Sequence, residues 1–116
     1  MRRYALQIGG RSLATDVMLV VRSPMSGAAV SEVPLAGEAQ AEAALRQALL
    51  AADAMRELPA HARAAALLAL RDRLSEQSAR LASIICEEIA KPIRDARAEV
   101  ARALTVLTLS AEEAKR

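Results

Sequence analysis

Two rhythms of apolar residues divide the chain. Tyr4, Leu6 and Ile8 alternate with Ala5 and Gln7, the period of two that gives a strand one buried face. Gly9-Gly10 follows and supplies a tight turn for a hairpin. A second apolar run, Val17 to Val21, ends at Arg22-Ser23-Pro24, and the extended pattern resumes at Ala28-Ala29-Val30 after Gly27. The first third of the chain is therefore expected to form antiparallel strands, a segment we place at residues 1–36.

After Pro34 the period changes. Ala41, Ala44, Leu45, Ala48, Leu49, Ala52 and Met55 recur at helical spacing and predict a helix over Glu38 to Arg56 with one stripe turned to a core. Pro59 ends it, because proline disfavours helical geometry in the residue before it and suits the first turn of the next helix. A long second helix is expected from Ala60 to Ile89, with Ala64, Leu67, Leu70, Leu74, Leu81 and Ile85 on its apolar side. Pro92 breaks the chain again, having no N–H to donate. A third helix then carries Ile93, Ala96, Val100, Ala103, Leu104 and Leu107 on one face. Strands first and helices second, with residues 37–116 as the helical segment, make an α+β arrangement for the chain taken alone.

Composition narrows the class. With 116 residues and 53% hydrophobic content, the chain can build one packed domain or part of one. Its only aromatic residue is Tyr4, and about a quarter of its residues are alanine, so the core must come from Ala, Leu, Ile and Val. Sixteen basic residues are mixed among 14 acidic ones for a net charge of +2. No basic stripe exists to neutralise a phosphate backbone, and no nucleic-acid partner is expected. The longest apolar stretch, Ala64 to Leu70, is too short to span a bilayer, and the amino terminus lacks an apolar run of signal-peptide length. A lone cysteine cannot close an internal disulfide and fits a reducing, cytoplasmic compartment.

The chemistry-bearing residues cluster in Cys86-Glu87-Glu88-Ile89-Ala90-Lys91-Pro92. A catalytic thiol needs a nearby cation, histidine or helix N-terminus, whereas Cys86 falls near the C-terminal end of a helix beside two glutamates, where a thiolate is disfavoured. A small buried residue is the better account of it. His61, the only histidine, falls in the first turn of a helix and is read as a surface or helix-start residue. With no second histidine or paired cysteines, no standard zinc site can be assembled. Gly9-Gly10 lacks the spacing of a phosphate-cradling loop and is read as a turn. Lys91 is expected to be solvent-exposed or to cap carbonyls at a helix C-terminus, and Asp95 to approach Arg102. No catalytic residue is expected within this chain.

Taken together, these pieces resemble the opening of the NAD(P)-dependent aldehyde dehydrogenase superfamily. YALQIGGR is similar to its first strand and glycine turn, VVRSPMSGAAVSEVPLA to its strand, Pro turn and returning strand, and AEAALRQALLAADAMRELPAHARAAALLAL to the helix pair that follows. EEIAKPIRDARAEV resembles the Glu-x-Gly-Lys-Pro corner, with Ala90 standing where the family usually has glycine. The resemblance implies the N-terminal part of an α/β cofactor-binding domain. It implies a full enzyme in which a cysteine thiolate attacks an aldehyde, hydride passes from the thiohemiacetal to NAD or NADP, and glutamate-assisted water releases the acid.

Those catalytic groups, the nucleotide-binding strands and the oligomerisation flap would all lie beyond residue 116. The chain alone is then expected to bind no cofactor and turn over no substrate, and the complete protein to act on an aldehyde as a homo-oligomer. The resemblance also implies a structural monovalent cation held by the Glu88 carboxylate and the carbonyls of Val21 and Arg22, oxygen donors that suit a hard cation. A similarity in LTVLTLSAEEAKR leans towards small anionic or hydroxylated aldehydes. The rival expectation is a free-standing helical interaction or oligomerisation module without catalysis.

Overall fold

A computed structural model describes all residues, Met1 to Arg116. Its elements are β1 (Arg2–Arg3), β2 (Leu6–Ile8), β3 (Arg11–Leu13), β4 (Met18–Arg22), β5 (Ala29–Pro34), α1 (Glu38–Glu57), α2 (Ala60–Glu76), α3 (Ser78–Ile89) and α4 (Ile93–Glu113). The chain separates into two compact units, Met1–Glu57 and Leu58–Arg116. That division falls after the first helix, whereas the sequence suggested one after residue 36, because α1 contacts β2 and groups with the strands.

In the first unit, β2 and β3 form the expected hairpin, pairing Leu6 with Leu13 and Ile8 with Arg11. Gly9 and Gly10 both take positive φ, 57° and 75°, as a two-residue hairpin turn matched to strand twist requires. A Cβ on Gly9 would come within 2.9 Å of the Gln47 side chain on α1, so the hairpin approaches that helix closely at a residue with no side chain. The second sheet has the order β1-β5-β4. Strands β4 and β5 are antiparallel, but β1 joins β5 in parallel, Arg2 opposite Ser31 and Arg3 opposite Glu32. This departs from the all-antiparallel expectation. Arg3 Nε donates to the Glu32 carboxylate at 2.6 Å across that pair.

Helix α1 starts where the Gln40 side chain reaches back to accept the Gly37 N–H at 3.0 Å, the return half of a capping box. Its length matches the sequence pattern, yet none of its residues is buried and Leu50 is 76% exposed. The stripe expected to face a core is left uncovered.

In the second unit the expected long helix is broken at Gln77 into α2 and α3. Gln77 leaves helical geometry (φ −98°, ψ 5°) and its N–H turns back to Leu74 O. The Ser78 hydroxyl donates to Ser75 O at 2.6 Å, a side-chain bond that competes with helix continuity. Helix α4 packs against both α2 and α3. Its core residues are small: Ala64, Ala82, Ala96 and Ala111 are fully buried and Val100 nearly so, with Leu81 and Ile85 packed at the margin. Leu70, placed on the buried side by periodicity, is exposed.

The total accessible surface is 8452 Å². Two separate compact proteins of half this mass would expose about 7,300 Å² together, and the exposed residues include large apolar ones such as Leu45, Leu49, Leu50 and Leu109. Two expectations follow for the second unit. Replacing Ala96 with leucine forces a larger side chain into a filled interface and should cost about 1–3 kcal/mol, read as a lower urea midpoint with an unchanged slope. Ala90 is the one non-glycine residue with positive φ, 54°, so Ala90→Gly should stabilise the chain by about 0.5–1 kcal/mol. An unchanged or lower midpoint for Ala90→Gly would show that the strain is relieved elsewhere.

Candidate functional site

The corner between α3 and α4 gathers the residues that the sequence singled out. Ala90 ends α3 in the left-handed conformation (φ 54°, ψ 30°), which reverses the chain and brings the Lys91 carbonyl back over the last turn of the helix. Pro92 then opens α4 in an extended conformation (φ −53°, ψ 136°). Its carbonyl accepts the Asp95 and Ala96 N–H groups at 2.9 and 3.0 Å. The two turns fix the corner through main-chain geometry, and the side chains close around it.

Cys86, half-buried on α3, donates its thiol hydrogen to the Lys91 carbonyl at 2.7 Å. The thiol thus ties the helix to the reversed segment, and the residue expected to be buried is only half-buried. The Lys91 ammonium donates to the Glu99 carboxylate of α4, and both side chains are about a third exposed. This corrects the expectation of a solvent-exposed or carbonyl-capping lysine: Lys91 is half-buried, and the chain reversal aims it across the corner to Glu99. Asp95 accepts from Arg94 Nε at 3.1 Å rather than from Arg102.

His61 lies exposed in the first turn of α2. The same turn is held by Arg63, whose guanidinium donates to Leu58 O at 2.5 Å. Glu88 is half-buried on α3 in the second unit. Val21 and Arg22 lie in the first unit at the end of β4, where the register with β5 shifts between them. Arg22 donates to Gly27 O at 3.1 Å, closing the turn that follows. No group of three or more His, Cys, Asp and Glu is placed to hold a metal ion.

An apolar cleft of about 300 Å³ opens in the second unit between Leu74, Leu81, Ile85, Val100 and Leu104, with Glu99 at its rim. The one carboxylate there is already engaged by Lys91, and a ligand pocket needs several convergent polar groups to orient its guest. The cleft is uncovered core. The Lys91–Glu99 pair is the feature that sequence reasoning missed. Its partners stand eight residues apart across a helix break, where neither the i,i+3 nor the i,i+4 rule applies.

Comparison with known proteins assigns this architecture. Residues 13–116 match the model of the aldehyde dehydrogenase family. The 4-(hydroxymethyl)benzenesulfonate dehydrogenase TsaD1 of Comamonas testosteroni is 36% identical over 113 residues, covering 96% of this chain and 24% of that protein. The mitochondrial succinate-semialdehyde dehydrogenase of Rattus norvegicus is 33% identical over 109 residues, covering 94% of this chain and 21% of that protein. Among solved structures, the NADP-dependent glyceraldehyde-3-phosphate dehydrogenase of Bacillus halodurans superposes with a TM-score of 0.96 at 26% identity, over 100% of this chain and 25% of that one. The chain thus spans a fifth to a quarter of the length of these relatives. It belongs to the aldehyde dehydrogenase family, as an N-terminal segment of that fold.

Proposed function

We propose that the whole protein of which this segment forms part oxidises an aldehyde to a carboxylic acid, with hydride passing to NAD or NADP. The observation that carries this reading is the family match over residues 13–116. In this reading the segment is scaffold. Its one cysteine is committed to the Lys91 carbonyl, its lysine–glutamate pair is committed across the same corner, and the chain by itself turns over no substrate and binds no nicotinamide cofactor. The nucleophilic cysteine and the glutamate that assists water would come from the remainder of the fold.

The names of two relatives point to substrates with an anionic group, a sulfonate and a carboxylate, in line with the similarity in residues 104–116. We therefore favour a small anionic aldehyde. The lone cysteine supports a reducing, cytoplasmic setting, no helix is long and apolar enough to cross a membrane, and the complete enzyme is proposed to be a homo-oligomer. The assignment of a monovalent cation to Glu88, Val21 and Arg22 stands as a proposal for the whole enzyme. A second reading, an interaction module without catalysis, draws on the uncovered leucines of α1.

The test is an assay of the complete reading frame and of the 116-residue chain side by side, with succinate semialdehyde and NAD or NADP. The full protein should form reduced cofactor and the chain alone none. Failure of the full protein on a panel of aldehydes would overturn the enzymatic reading, and turnover by the chain alone would overturn its role as scaffold. For the cation, replacing sodium and potassium by tetramethylammonium should lower the thermal midpoint of the full protein; an unchanged midpoint removes that assignment.

A further inference from the structure

We draw no further inference here: the strongest candidate, the uncovered apolar face of α1 around Leu45 and Leu49, carries none, because nothing in the structure shows what covers it in a fold of which this chain spans a fifth to a quarter.

Discussion

Alanine is what allows α4 to lie against both α2 and α3. The four side chains buried to 1% exposure or less among these helices are Ala64, Ala82, Ala96 and Ala111, and only Val100 adds a larger group. A methyl group lets helix axes approach closely and costs little side-chain entropy on burial. It also removes little area from water, and at roughly 25 cal/mol per Å² the return per residue is small. Leucine and isoleucine, which ordinarily fill a domain interior, are here half-buried at the margins or exposed. Close backbone packing and unspent apolar surface are thus two results of one choice of residue.

Large apolar side chains are left open in both units. Leu45, Leu49 and Leu50 on α1, Leu19 and Val20 on β4, and Val106 and Leu109 on α4 all stay exposed. A surface of 8452 Å² exceeds what two independent compact units of this size would show. The relatives that share this fold are four to five times longer than the stretch matched here. Apolar faces left open in a segment of that size fit elements shaped to be covered by more protein.

The sequence disclosed what local chemistry controls. A Gly-Gly pair between alternating residues marked the β2–β3 hairpin, and Pro59 and Pro92 marked helix starts, because each acts on its own φ and its nearest neighbours. Three features were hidden for physical reasons. The parallel pairing of β1 joins residues 29 apart, and no period in the sequence encodes such a partner. The break at Gln77 involves neither glycine nor proline; it comes from a residue that leaves helical φ and ψ beside a serine hydroxyl that bonds back to the chain. Burial was the third: periodicity identifies the apolar face of α1 and the position of Leu70, but whether a face meets a neighbour is a property of the tertiary structure.

The α3–α4 corner shows the same division within a few residues. That Cys86 stands beside two acidic residues near a helix end could be read from the sequence, and the structure gives the thiol a carbonyl partner. That Ala90 would need positive φ could be suspected from the proline two residues later, since a helix that must stop and turn within so short a span commonly does so through a left-handed residue. The Lys91–Glu99 pair could not, because it exists only once that reversal has set the direction of Lys91. Ala90 therefore sits upstream of both contacts: its backbone places the Lys91 carbonyl for the thiol and the Lys91 side chain for the carboxylate. An alanine that accepts strain at that point, where glycine would not, keeps the corner on the same path, so the strain reports how firmly the surrounding helices impose the turn.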